Sequence, residues 1–226
     1  MIEAVLFDLD GTLADTAPDM ALTVNRLLER HGKPRVPIEA VRPHVSKGAR
    51  GMIGAAFGLK PDDAGFQALR EDFLALYEEN LCVDSRLFPG MEELLDALEA
   101  QGIAWGVVTN KFERFARPLL AALGVADRAA VIVGGDTCPR PKPFPDPLLF
   151  AAAQMGIAPM QTLYVGDDER DVQAARAAGM PVLVAAYGYL GDGAPPVLWG
   201  ADGIVDSPVG IGAWMREMRA EPGAAR

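Results

Sequence analysis

Residues 1–15 read MIEAVLFDLDGTLAD. The apolar run Ala4-Val5-Leu6-Phe7 leads straight into Asp8-Leu9-Asp10-Gly11-Thr12. A short apolar run closed by a glycine predicts a buried strand. Side chains alternate along an extended chain, so regular geometry points Asp8 and Asp10 the same way where the strand leaves its sheet. Two like charges placed so closely are costly unless a cation, a proton or a cationic side chain balances them. The balancing group has to come from elsewhere in the chain.

After this strand the pattern changes. Thr16 and Pro18 open a helix on which Met20, Val24, Leu27, Leu28 and His31 recur at helical spacing, and Gly32 closes it. Pro34 to Pro37 reads as a linker, Ile38 to Val45 as a shorter helix, Ser46-Lys47-Gly48 as a turn, and Ala49 to Phe57 as a third helix. A fourth opens at Pro61 and Asp62, with Phe66, Leu69, Phe73 and Leu76 on one face. Residues 15–84 contain no convincing strand and are too long for a simple crossover, which predicts a helical insert, a lid or cap, in a core made of residues 1–14 and 85–226.

From Met91 onward, strands and helices alternate. Strands are expected at Ile103–Val108, Ala130–Val133, Gln161–Val165, Pro181–Ala185 and Gly203–Val205. Helices are expected at Met91–Leu98, Phe112–Leu123 (kinked at Pro118), Pro147–Met155, Asp168–Ala178 and Pro208–Met218. The uncharged stretch Pro147 to Gly166 has the length of a membrane span, but Gln154, Gly156, Pro159 and Gln161 divide it into helix, turn and strand. The tail from Arg219 to Arg226 is polar and expected to fray. Such alternation predicts an α/β fold, a doubly wound parallel sheet with helices on both faces. Ligands bind such sheets at the carboxyl ends of the strands. Asp8, Asp10, Thr109, Asn110, Asp167 and Asp168 all fall at or just past such ends.

Composition narrows the function. In 226 residues with half of them apolar there is room for one generous domain or a core plus an insert. A formal net charge of −10 argues against nucleic acid or an anionic membrane as the main partner. Glu3, Asp8 and Asp10 interrupt any signal-peptide core. Cys82 and Cys138 have no metal-ligand spacing and read as reduced thiols of a cytoplasmic protein.

At the predicted sheet edge, Asp8, Asp10, Asp167, Asp168 and Asp171 gather as a carboxylate cluster that repels itself unless a hard cation is bound, and oxygen-only ligands suit magnesium. A helix N-cap accounts for one of these aspartates, but not for aspartates after two separate strands. Thr109 and Asn110 offer a hydroxyl and an amide that can cradle a phosphate. Lys142 lies in Arg140-Pro141-Lys142-Pro143-Phe144-Pro145-Asp146-Pro147, where four prolines in seven residues hold the loop stiff around it.

Taken in order, Asp8-Leu9-Asp10-Gly11-Thr12-Leu13, Val108-Thr109-Asn110, Lys142-Pro143 and Gly166-Asp167-Asp168-Glu169-Arg170-Asp171 resemble the four motifs of the haloacid dehalogenase superfamily in its phosphatase branch. The insert resembles that family's first-type cap. Within the branch, Val108-Thr109-Asn110-Lys111 and Ala174-Ala175-Arg176-Ala177-Ala178-Gly179 look like phosphoglycolate phosphatases. Ser46-Lys47-Gly48-Ala49-Arg50, Trp105-Gly106-Val107-Val108, Gly166-Asp167-Asp168 and Trp199-Gly200-Ala201-Asp202 are also similar to N-acetylmuramic acid 6-phosphate phosphatases. One position departs from the first group, which usually has Ser or Thr where Asp168 stands.

The resemblance implies a cytoplasmic phosphomonoesterase, a monomer or homodimer, acting on a small phosphorylated metabolite. By it, Asp8 is the nucleophile and Asp10 the general acid and base. Asp8, Asp10 (through its carbonyl) and Asp167 hold magnesium, with Asp168 and Asp171 supporting its waters. Lys142, Thr109 and Asn110, together with Gly11, Thr12 and Lys111, bind the phosphoryl end, and Lys47, Gly48 and Arg50 of the cap meet the rest of the substrate. A metal-independent dehalogenase, a phosphosugar mutase and a non-catalytic binding module are the competing readings; the second aspartate, Asp10, and the Asp167 group argue against the first.

Overall fold

A computed structural model describes residues 1–220; the expectation for the tail beyond Ala220 lies outside the described residues. In chain order the elements are β1 (Ala4–Phe7), β2 (Ala14–Asp15), α1 (Ala17–Arg30), α2 (Ile38–Val41), α3 (Gly48–Phe57), α4 (Phe66–Glu79), β3 (Arg86–Leu87), α5 (Met91–Ala100), β4 (Ala104–Val108), α6 (Glu113–Ala122), β5 (Val131–Val133), α7 (Asp146–Met155), β6 (Thr162–Gly166), α8 (Glu169–Ala178), β7 (Val182–Ala185), β8 (Gly203–Val205) and α9 (Pro208–Ala220). Six strands form one parallel sheet in the order β5-β4-β1-β6-β7-β8. β1 pairs with β4 on one side and β6 on the other, so the chain runs outward in both directions from the strand that ends in Asp8. That reversal is the switch point at which open sheets of this kind bind ligands.

The pleat of β1 sorts its residues between two cores. Val5 and Phe7 pack with Trp105, Val107, Leu163 and Val165 under α5, α6 and α9. Leu6 packs with Val108, Tyr164, Val182 and Val184 under α7 and α8. Every residue of β1 is buried, which explains a continuous apolar run where a one-sided strand would alternate. The uncharged stretch 147–166 resolves into α7, a 3-10 turn at Pro159–Gln161 and β6, and no helix among the described residues is long and apolar enough to cross a membrane.

Helices α1 to α4 pack around a cluster of their own that includes Val24, Leu27, Met52, Phe73 and Tyr77. Two adjacent crossings tie this helical segment to the sheet. β2 and β3 pair antiparallel, Ala14 opposite Leu87 and Asp15 opposite Arg86. Just beyond, the buried carboxylate of Asp19 accepts hydrogen bonds from the main-chain N–H groups of Val83, Asp84 and Ser85 and from Ser85 Oγ, at 2.6 to 3.0 Å. The outgoing and returning chains are therefore joined by one carboxylate that the sequence pattern does not single out.

Local chemistry corrects two expected boundaries. The helix expected over Ile38–Val45 stops at Val41 and becomes a 3-10 segment, Arg42–Lys47, because Pro43 has no N–H for an α-helical bond. The helix expected from Pro61 begins at Phe66, because Gly65 holds a left-handed φ of 85° that only then releases the chain into helix. α6 runs continuously through Pro118.

Candidate active site

A cavity of about 450 Å3 lies between α3 and α4 and the carboxyl ends of β1 and β4, with Asp8, Asp10, Thr109, Asn110 and Lys142 at its base. Lys47, Gly48 and Arg50 line its other side with Arg70, Phe73 and Tyr77.

The base is a buried charge cluster. Lys142 Nζ lies 2.7 Å from Asp171 Oδ1, 3.1 Å from Asp8 Oδ1 and 2.8 Å from the Tyr164 hydroxyl. Burial works against its charge, but Asp171 and Asp8 prevail and hold the ammonium above its ordinary pKa. Asp8 accepts the Leu9 N–H at 2.7 Å. Burial nevertheless pushes its carboxyl up to about 6, with Lys142 opposing and Asp171 and Asp10 adding to the rise. Asp167, fully buried, accepts from Thr12 Oγ1 at 3.0 Å and from the Tyr189 N–H at 2.9 Å. Its carboxyl is also raised well above the ordinary range, by burial and then by Asp8 and Asp171.

One carboxylate oxygen from each of Asp8, Asp167 and Asp171 lies within 4.8 Å of the others. Three buried carboxylates facing one ammonium leave negative charge in excess. An all-oxygen donor set of that kind fits a hard divalent cation, which would relieve the burden on Asp8 and Asp167.

Backbone geometry makes the cluster possible. Gly11 has φ of 87°, and a β-carbon there would collide with the Asp167 carboxylate. Thr12 is fully buried and reaches Asp167, and neither residue lines the cavity. Thr109 is buried at the end of β4, and its Oγ1 accepts the Lys111 N–H at 3.2 Å. The Asn110 amide clamps the Lys142 main chain from both sides, Nδ2 donating to its carbonyl at 2.9 Å and Oδ1 accepting its N–H at 3.0 Å. Lys142 is thus mounted by a side chain as well as by prolines.

Asp10 faces a different cation. Lys111 Nζ lies 2.8 and 3.0 Å from its two oxygens, and Thr16 Oγ1 donates to it at 2.6 Å. Asp168 is the N-cap of α8. It accepts the Arg170 N–H, and Asp171 returns the favour by accepting the Asp168 N–H at 3.1 Å. The Arg170 guanidinium also pairs with Asp168 at 2.8 Å; burial pushes the Asp168 carboxyl up, but Arg170 outweighs it and holds it below its ordinary pKa.

The helical segment meets this site directly. Ser46 Oγ donates to Asp167 at 3.2 Å, and Arg170 Nη2 donates to the Ser46 carbonyl at 2.8 Å. Lys47, which also lines the cavity, pairs with the exposed Asp192 at 2.6 Å. Arg50 lines the cavity with no ion-pair partner among the described residues. Tyr189 accepts the N–H groups at the start of α1, from Thr16 at 2.7 Å and Ala17 at 2.9 Å, and donates to Asp15 at 2.9 Å. Tyr164, Tyr189 and Asp19 have no motif around them. For Tyr164 the pleat is the one available signal, because it points away from Leu163 and Val165 toward the face that carries Lys142.

The family model for haloacid dehalogenase-like hydrolases matches residues 5–185, and the chain belongs to that family. A phosphoglycolate phosphatase from Xanthomonas campestris is 51% identical over 206 residues, 91% of this chain and 92% of that protein. An N-acetylmuramic acid 6-phosphate phosphatase from Pseudomonas aeruginosa is 48% identical over 207 residues, 92% of each chain. The crystal structure of a predicted phosphoglycolate phosphatase from Haemophilus somnus superposes with a TM-score of 0.84 at 32% identity, covering 95% of this chain and 98% of that one. At this identity, over nine-tenths of each chain, the protein is a phosphatase.

Proposed function

We propose that the protein is a magnesium-dependent phosphomonoester hydrolase that turns over a small phosphorylated metabolite through an aspartyl phosphate on Asp8, with residues 15–84 serving as a cap over the core. The observation that carries this reading is the Asp8 carboxylate at the base of the cavity, beside the Lys142 ammonium at 3.1 Å and in reach of Asp167 and Asp171. An Asp8 oxygen attacks phosphorus as the ester oxygen departs, which divides one hard displacement into two easier ones. Asp10 gives its proton to the leaving alcohol, then takes one from the water that hydrolyses the aspartyl phosphate. Lys111, at 2.8 Å, orients Asp10. Lys142 and the Thr109 hydroxyl receive the phosphoryl oxygens, and Asn110 fixes Lys142 in place. Asp8, Asp167 and the Asp10 carbonyl, with Asp171 and Asp168 behind them, would hold magnesium, which would supply positive charge for the phosphoryl group. The free thiols Cys82 and Cys138 support a cytoplasmic location.

For the substrate, the Xanthomonas relative favours 2-phosphoglycolate and the Pseudomonas relative N-acetylmuramic acid 6-phosphate. The second is favoured by one feature of this chain: a cavity of about 450 Å3 walled by Phe73, Phe112, Phe115 and Tyr77 is roomy and aromatic for a two-carbon acid. Both esters carry a carboxylate, which Arg50 is placed to receive. A panel of phosphomonoesters with magnesium, compared by kcat/KM and including both acids and neutral hexose phosphates, tests the reading. No turnover of any ester would refute it. In the same panel Arg50→Ala raises KM for carboxylate esters roughly tenfold or more beyond its effect on neutral ones, the scale of a lost charged hydrogen bond. Equal effects on both kinds would remove Arg50 from carboxylate recognition.

A further inference from the structure

The charges around the cavity divide by origin. Every acid that lines it, Asp8, Asp10, Asp168 and Asp171, belongs to the core, and each has a cation at 2.7 to 3.1 Å. The helical segment contributes only cations: Lys47, Arg50 and Arg70. Lys47 is taken up by Asp192. Arg70 makes no hydrogen bond and no ion pair with any described residue. Its own helix offers it no acid, because the residues three and four positions away are Phe66, Gln67, Phe73 and Leu74. The half-buried guanidinium lies instead over the ring of Phe112, 5.9 Å from its centroid. An arginine on a solvated helix face needs no partner. This one stands on the stripe Arg70-Phe73-Leu74-Tyr77 that α4 turns to the cavity, where an unpaired, partly desolvated cation attracts an anion.

The same stripe measures depth. Tyr77 marks the floor, with its ring 4.7 Å from the Lys111 ammonium that holds Asp10. Arg70 is two helical turns away along α4, about 10 Å of axis. A two-carbon acid anchored at the floor by its phosphoryl group is too short to span two turns. A hexose with an acid on its far side is not.

We propose that Arg70 is a specificity-determining residue that pairs with a carboxylate on the far side of the leaving alcohol, selecting phosphate esters of sugar-sized acids over neutral sugars and over short acids. The inference rests on the phosphatase reading and deepens it: Arg50 receives carboxylate esters in general, whereas Arg70 adds a requirement of length. A guanidinium laid over an aromatic face keeps its edge N–H groups for a planar acceptor, which a carboxylate provides.

The test compares N-acetylmuramic acid 6-phosphate, N-acetylglucosamine 6-phosphate (the same ring without the carboxylate) and 2-phosphoglycolate. With magnesium present, kcat/KM for each is measured on the unmodified protein, on Arg70→Gln and on Arg70→Lys. Glutamine keeps part of the stem and a good helix propensity. The expected result is a preference of the unmodified protein for the sugar acid over the neutral sugar. Arg70→Gln lowers that preference about tenfold or more, through KM, the scale of one charged hydrogen bond. Arg70→Lys, which keeps the charge but not the fork, retains part of it. The ratio of 2-phosphoglycolate to the neutral sugar stays within about threefold, less than one such bond. No preference in the unmodified protein, an unchanged preference in Arg70→Gln, or a loss for 2-phosphoglycolate as large as for the sugar acid would each overturn the proposal. Failure of the phosphatase reading shows separately, as no phosphate release from any ester by the unmodified protein.

Discussion

Asp8→Asn lowers phosphate release by roughly 10^4-fold or more at saturating magnesium, the scale seen when a covalent nucleophile is removed. The reason is chemical: an amide oxygen in the same place keeps the shape and the Leu9 N–H contact but cannot displace the ester oxygen. The same substitution has a second effect of opposite sign. Burial lifts the Asp8 carboxyl from 3.8 to about 6, so the folded protein binds that proton more tightly than the unfolded chain. Stability therefore falls as pH rises through this range, and the full penalty, on the order of 3 kcal/mol, stands above about pH 6. Asparagine carries no such penalty, and Lys142 retains Asp171 at 2.7 Å as its partner. Metal-free Asp8→Asn protein should thus melt at or above the parent's temperature at pH 8. Scanning calorimetry alongside a phosphate assay checks both halves; activity within tenfold of the parent, or a midpoint several degrees lower, would contradict the assignment.

Lys142→Met, which keeps most of the side-chain volume, lowers kcat about 10^2- to 10^3-fold, as expected for a preorganised group aimed at developing negative charge. It also leaves Asp8, Asp167 and Asp171 together with no ammonium among them. Breaking a buried pair by removing one partner typically destabilises by ~3–5 kcal/mol. Here the loss is pH-dependent. Without the lysine the carboxyls rise further, so the folded state takes up protons that the unfolded chain does not. Stability should recover as pH falls toward 5, and at neutral pH as magnesium is added. Thermal melts across pH, with and without magnesium, read this out; a variant equally unstable at every pH and metal concentration would mean that lost packing, not charge, is the cause.

The sheet was legible in the sequence because its strands are short apolar runs whose ends fall on Asp, Thr, Asn or Gly, and periodicity reports such elements locally. The carboxylates at 8, 10 and 167 were legible for the same reason. What stayed hidden depends on pairs distant in sequence. Asp19 reads as an ordinary acid in the first turn of α1 until the chain returns at 83–85 to use it. The clamp of Asn110 on the Lys142 main chain and the pairing of Lys47 with Asp192 likewise join residues far apart in sequence. Pro43 and Gly65 did carry local signals, and those residues account for the shifted boundaries of α2 and α4.

An Asp8 nucleophile carries the phosphoryl group as an acyl phosphate during turnover. Rapid quenching during turnover of a phosphate ester, followed by borohydride, reduces an acyl phosphate to a primary alcohol, which mass spectrometry locates by residue. The expected result is reduction at Asp8, dependent on both ester and magnesium and absent from Asp8→Asn protein. Phosphate release at full rate with an unreduced Asp8, or reduction at Asp10 or Asp167 instead, would contradict it.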